Sequence, residues 1–259
     1  MFSRNALPNA ITLLNLFTGS VAVAVALDGA LHAAALLMLA CALLDFLDGF
    51  AARALNAYSP LGGQLDSLAD LVSFGLLPGA IVLAYLKQSV PFITESETVL
   101  FLLPFLGFSL TVFSALRLAR FNLDETQRDA FIGLPTPANG LFFASWPLVL
   151  AYGPEGGMVT RFASGLTGSA WAMLVLTGLF SWLLVSPLSM FSLKFKTFGW
   201  KGNRLRISFL AGSLVLLMVF GWQAAPLIML FYLILSLLFH WSHIRPGESQ
   251  PAGSKNTQT

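Results

Sequence analysis

Asp45-Phe46-Leu47-Asp48-Gly49-Phe50-Ala51-Ala52-Arg53, then eight residues, then Gly62-Gly63-Gln64-Leu65-Asp66-Ser67-Leu68-Ala69-Asp70 is the stretch that decides the reading of this chain. It places four aspartates, two on each side of a short polar loop, in a chain where charge is otherwise rare outside the connections. Long, largely apolar runs flank both halves, so the carboxylates lie at or inside a membrane boundary, where an unpaired ionised group is costly. Something must bind them, and metal ions are the natural candidates.

Composition supports the membrane. Of 259 residues, 56% are hydrophobic and only 10% are charged, which excludes a soluble globular domain. Nearly the whole length is taken up by stretches able to cross roughly 30 Å of hydrocarbon, leaving no room for a separate soluble catalytic domain. The single cysteine, Cys41, lies in an apolar run and reads as a small buried hydrophobe. No nucleic-acid partner is expected.

The pattern predicts an all-α, polytopic transmembrane helix bundle of about eight spans, at 9–27, 31–52, 62–86, 99–119, 138–152, 166–186, 205–222 and 225–241. The first is read as a retained span, not a cleaved signal. With the amino terminus inside, the cytoplasmic segments hold Arg4, Arg53, Arg117, Arg120, Arg128, Lys194, Lys196, Lys201, Arg204, Arg206, Arg245 and Lys255, against only Lys87 and Arg161 opposite. Because cytoplasmic connections retain positive charge, both termini and the aspartates are placed on the cytoplasmic side. Residues 1–243 form one membrane domain. Residues 244–259 are a polar tail rich in Gly, Ser and Pro, expected to be disordered. The basic cluster from Lys194 to Arg206 reads as a patch facing anionic lipid.

Asp45 and Asp48 are three apart and Asp66 and Asp70 four apart, so on helices each pair projects from one face. Two facing pairs make a box of carboxylates. Oxygen-only ligation suits Mg²⁺ or Mn²⁺, and no Cys/His cluster competes for a softer metal. Ser59-Pro60 begins the second helix, while Gly49 and Gly62 leave gaps through which a ligand can approach. Arg53 supplies a fork for a phosphate, and two divalent ions beside an arginine suit displacement at phosphorus. A cation transporter also uses intramembrane acids, but it has little use for the glycines and the arginine at one membrane edge.

The run resembles, at every fixed position, the signature of the CDP-alcohol phosphatidyltransferase family, D-x-x-D-G-x-x-A-R, eight residues, G-x-x-x-D-x-x-x-D. The resemblance implies a cytidine diphosphate lipid as donor, an alcohol as acceptor and CMP as leaving group. It implies that Asp45, Asp48, Asp66 and Asp70 hold two ions, Mg²⁺ or Mn²⁺, that Asp70 is also the general base, and that Gly49, Arg53 and Ser59 contact the nucleotide and pyrophosphate. Pro8-Asn9-Ala10-Ile11-Thr12 matches a further family element, implying that Asn9 and Thr12 reach the CDP group; a plain helix cap is the competing reading. The resemblance also implies a homodimer, and the expected location is the bacterial inner membrane with the site facing the cytoplasm.

The acceptor is read from Ala115-Leu116-Arg117-Leu118-Ala119-Arg120-Phe121-Asn122 and the following Phe131-Ile132-Gly133-Leu134-Pro135-Thr136-Pro137-Ala138-Asn139. This pair of segments resembles the membrane-embedded phosphatidylserine synthases within the family, Asn139 standing where alanine is more usual. The resemblance implies CDP-diacylglycerol as donor and L-serine as acceptor. Arg117 and Arg120, three apart, could grip the serine carboxylate, with Asn122 and Asn139 accepting from its ammonium group. Alternatively, both arginines only anchor the helix end. Glycerol 3-phosphate or an inositol phosphate are the rival acceptors.

Overall fold

The computed structural model describes residues 6–123, 131–190 and 203–243. The expected tail, Arg4, Arg128 and the basic residues from Lys194 to Lys201 lie outside the described residues.

The first two helices, α1 (Ala6–Leu27) and α2 (Leu31–Ala54), form an antiparallel hairpin turned by Gly29, whose φ of +88° suits a residue without a side chain. Among the described residues, five segments are long and apolar enough to cross a membrane, namely Ala6–Leu27, Leu31–Ala54, Pro60–Phe92, Glu97–Leu123 and Arg204–Phe239. The protein is an all-α, polytopic integral membrane protein.

The third segment is the axis of the bundle. It opens with α3 (Pro60–Asp70), passes through a π-helical stretch at Leu71–Leu76 and continues as α4 (Leu77–Ser89). Every residue of α4 except Lys87 and Gln88 is buried, as expected for a helix apolar on all sides. Small residues permit the close approach. A Cβ on Gly107 would stand 2.8 Å from the Gly79 carbonyl oxygen, so the backbones touch directly. The π-helical stretch departs from the regular helix the pattern implies, and neighbours serve its polar groups. Thr111 Oγ1 donates to the Gly75 carbonyl at 3.1 Å, and Ser73 Oγ donates to Asn15 Oδ1 at 2.9 Å. Such widened turns recur at functional sites, and this one begins directly after Asp70.

Glu97–Leu102 (α5) leads through a 3₁₀ turn into α6 (Ser109–Leu123). Next comes α7 (Thr136–Tyr152), interrupted by Pro147 and buried along most of its length. The expected 166–186 span is present as one helix, preceded by a further helix bent sharply against it. α8 (Met158–Gly168) meets α9 (Ala170–Val185) at 92°, and Ser169 between them caps α9 by accepting from Ala172 N at 3.3 Å. A stacked Phe142–Phe180 pair, with centroids 4.2 Å apart, joins α7 to α9. Finally, α10 (Arg204–Phe220) folds back on α11 (Ala224–His243) at Gly221, where φ is +53°, and Phe209 stacks on Phe231 at 5.9 Å.

One departure from an all-helical chain matters for the site. β1 (Phe131–Ile132) pairs antiparallel with β2 (Ser189–Met190). Beside it, Gly133 N donates to the Leu188 carbonyl and Leu134 N to the Leu183 carbonyl, both at 2.9 Å. Gly133 has φ of +77°, and a side chain there would strike the Leu184 carbonyl. The loop that leads into Thr136 is thus clamped to the end of α9.

Candidate active site

α2 ends and α3 begins at the same end of the bundle, joined by residues 55–59. At 1.5 Å per residue, Asp48 lies about 9 Å and Asp45 about 13 Å from the end of α2, with Asp66 and Asp70 at similar depths from Pro60. The carboxylates therefore sit one to three turns inside the edge, not at the middle of a span.

Ser59 starts α3. Its Oγ accepts from Gly62 N at 3.0 Å, and Pro60 takes the first helical position, where its missing N–H costs nothing. This cap sets the helix register, bringing Asp66 opposite α2. One carboxylate oxygen from each of Asp45, Asp48 and Asp66 lies within 4.8 Å of the others. Asp70 lines the same cavity, and its buried Oδ1 has no hydrogen-bond partner among the described residues. Three converging carboxylates with a fourth alongside repel one another strongly at this separation unless cations intervene. A hard divalent ion fits this donor set, which offers oxygen alone.

Two cavities meet at the cluster. The first, of about 280 Å³, is bordered by Asn9 and Thr12 from α1, by Gly49 and Arg53 from α2, and by Ser59 and Gly62. It thus gathers Gly49, Arg53 and Ser59, expected at the nucleotide and pyrophosphate, together with Asn9 and Thr12 of the first helix. Thr12 is buried, and its Oγ1 donates to Asp48 Oδ2 at 2.7 Å, sharing its proton with the Pro8 carbonyl at 3.1 Å. Its role extends beyond a helix cap. Arg53 is exposed and lies over Gly49, where a Cβ would come 3.5 Å from the guanidinium.

The second cavity, of about 510 Å³, holds all four aspartates, Arg117, Asn122, Pro135 and Pro137. Asp48, Gly49, Arg53, Gly63 and Asp66 border both cavities and form the passage between them. Gly63 was not singled out by the motif, which fixes only Gly62. A Cβ on Gly63 would meet nothing within 4 Å, whereas one on Gly62 would press on Ser59 Oγ at 3.0 Å and Asn9 Oδ1 at 3.1 Å.

The two arginines expected to act together are separated. Arg117 is only 8% exposed; its Nη1 donates to Thr136 Oγ1 at 3.0 Å, and its guanidinium lies 5.8 Å from the Phe121 ring centre. It also stands within electrostatic reach of Asp70. Arg120, three residues on, is exposed and borders a different, small cavity of about 40 Å³ with Ile132, Leu184 and Ser186, which Arg117 also reaches. Asn122 is exposed and bonded to Ser67, with Nδ2 to Oγ at 3.0 Å. Asn139 is fully buried, does not line either large cavity, and its amide has no hydrogen-bond partner among the described residues. No spacing in the sequence links Thr136 to Arg117, which is nineteen residues away on another helix.

Comparison with known proteins agrees with this geometry. Residues 5–183 match the model of the CDP-alcohol phosphatidyltransferase family. The chain is 37% identical over 161 residues to a CDP-diacylglycerol--serine O-phosphatidyltransferase of Bacillus subtilis, covering 59% of this chain and 84% of that protein. It is 34% identical over 191 residues to one of Mycobacterium leprae, covering 71% of this chain and 57% of that protein. It is also 32% identical over 149 residues to an archaetidylserine synthase of Methanothermobacter thermautotrophicus, covering 57% and 60% respectively. With the family model covering more than half of its length and its signature carboxylates gathered on one cavity, the chain belongs to the CDP-alcohol phosphatidyltransferase family.

Proposed function

We propose that the protein transfers the phosphatidyl group of CDP-diacylglycerol to L-serine, giving phosphatidylserine and CMP. The observation that carries this reading is the pair of cavities joined at the carboxylate cluster, one suited to a nucleotide diphosphate and the other holding Asp70 opposite a buried arginine. The serine phosphatidyltransferases among the relatives support the choice of acceptor.

In this scheme Asn9, Thr12, Arg53 and Ser59 hold the CDP end of the donor. The glycines between the cavities let its pyrophosphate pass close to the backbone. Asp45, Asp48, Asp66 and Asp70 would hold two Mg²⁺ or Mn²⁺ ions, which when bound neutralise phosphoryl oxygens and stabilise the departing phosphate. Arg117 receives the carboxylate of serine in a charge-assisted contact. Asp70 accepts the proton of the serine hydroxyl as that oxygen bonds to the β-phosphorus, and the bond from phosphorus to the CMP oxygen breaks in line. Arg53 meets the charge that grows on the leaving phosphate. The acyl chains of the donor remain in the bilayer, and the site opens to the cytoplasm, a placement supported by the charge asymmetry of the connections. A homodimer in the bacterial inner membrane completes the proposal.

The test is direct. Purified protein in detergent is supplied with CDP-diacylglycerol, Mn²⁺ or Mg²⁺, and a panel of labelled alcohols, and both CMP and labelled lipid are measured. Serine should be the preferred acceptor. Preference for glycerol 3-phosphate or an inositol phosphate would overturn the serine assignment.

A further inference from the structure

We propose that Thr111 and the Asn15–Ser73 pair are positioning residues for the carboxylate cluster: they hold the π-helical turn at Leu71–Leu76 in its widened form, and that turn aims Asp66 and Asp70 at the aspartates of α2. The inference rests on the metal-holding role given to the carboxylates above and is independent of the acceptor.

The turn carries one residue more than a regular one. Leu77 N donates to the Val72 carbonyl, five residues back, where an α-helix would bond four back. Each residue of an α-helix advances the chain by about 100°, so one added residue rotates everything before it by roughly that angle relative to everything after it. What comes after is α4, which is locked. It is buried on nearly every side, and its backbone at Gly79 touches that of Gly107. The rotation therefore falls on α3, where Ala69 alone is fully buried. Ser59 sets where α3 starts, and the widened turn sets which way its acidic face looks.

Neighbouring helices are shaped to hold this turn. Two of them present glycine to its backbone: a Cβ on Gly19 of α1 would stand 3.2 Å from Ser73 Cα, and one on Gly140 of α7 would stand 3.0 Å from Phe74 Cα. Polar groups complete the fit. Thr111 Oγ1 of α6 donates to the Gly75 carbonyl within the turn at 3.1 Å, and Ser73 Oγ donates to Asn15 Oδ1 at 2.9 Å. Asn15 and Ser73 are fully buried, so neither can exchange its partner for bulk water. Asn15 lies three residues beyond Thr12, which bonds Asp48, so one buried face of α1 meets both the α2 half of the cluster and the turn behind Asp70.

Thr111 lines neither of the two large cavities, so its effect on the site must travel through the turn. Thr111→Val keeps the shape and removes the hydroxyl, whereas Thr111→Ser keeps the hydroxyl. With the full-length protein in detergent and no substrate, free Mn²⁺ is titrated by electron paramagnetic resonance. Thr111→Val should raise the Mn²⁺ dissociation constant by about tenfold, the scale on which supports of metal ligands act, and Thr111→Ser should stay within about twofold of the unaltered protein. At saturating Mn²⁺, kcat with CDP-diacylglycerol and the preferred alcohol should fall by about tenfold in Thr111→Val, with the acceptor KM within about twofold and the thermal midpoint within about a degree or two. Adding Ser73→Ala should deepen both losses. Unchanged Mn²⁺ affinity and kcat in the double variant, or losses that follow a lowered midpoint and are not relieved by Thr111→Ser, would overturn the proposal. If the unaltered protein binds no Mn²⁺, the metal reading fails, and kcat alone then decides the role of the turn.

Discussion

Thr12 Oγ1 donates to Asp48 Oδ2 across 2.7 Å, tying the first helix to the carboxylate cluster of the second and third. A hydroxyl that bonds one oxygen of a carboxylate fixes which way the other oxygen points. Partners of this kind orient metal ligands, and their loss typically costs about 10- to 100-fold in metal affinity. Thr12→Val should therefore raise the Mn²⁺ concentration for half-maximal activity by about tenfold or more, with much of the rate returning at saturating Mn²⁺. A Mn²⁺ titration of the two proteins checks this. An unaltered metal requirement would confine Thr12 to joining helices.

Asp45→Ala, Asp48→Ala and Asp66→Ala should each abolish turnover, since every one removes a charged donor from a cluster whose oxygens converge within 4.8 Å. EDTA should do the same to the unaltered protein, and readded Mg²⁺ or Mn²⁺ should restore it. Retention of more than about a tenth of the activity in EDTA would sink the two-metal mechanism.

The carboxylate cluster was legible in the sequence because its geometry is local. Spacings of three and four residues dictate common helix faces, and Ser59-Pro60 fixes where the second helix starts. Other features depend on distant partners. The bond from Arg117 to Thr136 arises from tertiary packing, and no spacing announces it. Arg117 and Arg120 illustrate the limit of the helical rule. Three residues correspond to about 300° of turn, enough for one guanidinium to enter the core beside Asp70 while the other stays at the surface. The right-angle break at Ser169 falls in Ser164-Gly165-Leu166-Thr167-Gly168-Ser169, at the start of the expected span, where small and polar residues mark a boundary but do not give the angle.

Asp70→Asn preserves size and polarity but removes the proton acceptor. The expected result is a collapse of kcat by a factor of about 100 or more, with a smaller change in CDP-diacylglycerol binding. Equal losses in binding and turnover would identify Asp70 as a metal ligand or structural residue and remove it from the role of general base.

Gly62 and Gly63 separate folding from substrate access. Gly63→Ala introduces a methyl that meets no protein atom within 4 Å, so the thermal midpoint should be unchanged. Because Gly63 borders both cavities, the methyl enters the passage between them, and KM for CDP-diacylglycerol should rise severalfold. Gly62→Ala presses instead on the Ser59 cap and Asn9, and should lower the midpoint as well. If Gly63→Ala binds the donor normally, the pyrophosphate does not run along this wall.

The acceptor assignment meets its sharpest test at the two arginines. Arg117 is buried on the wall that holds the four aspartates, whereas Arg120 is exposed and borders only the small cavity by α9. If the guanidinium of Arg117 receives the serine carboxylate, Arg117→Lys loses the forked geometry and should raise KM for serine by about tenfold or more. KM for CDP-diacylglycerol should hardly move. Arg120→Gln, made in parallel, should leave KM for serine within about twofold, since its charge stands outside the cavity and is screened by solvent. Ethanolamine provides the internal control. Lacking a carboxylate, it should be a poor acceptor for the unaltered protein, and its low rate should be insensitive to Arg117→Lys. Should the Arg120 variant prove the more damaging, the carboxylate of the acceptor must lie toward Ile132 and Ser186, and the roles given to Arg117 and Thr136 would be wrong together.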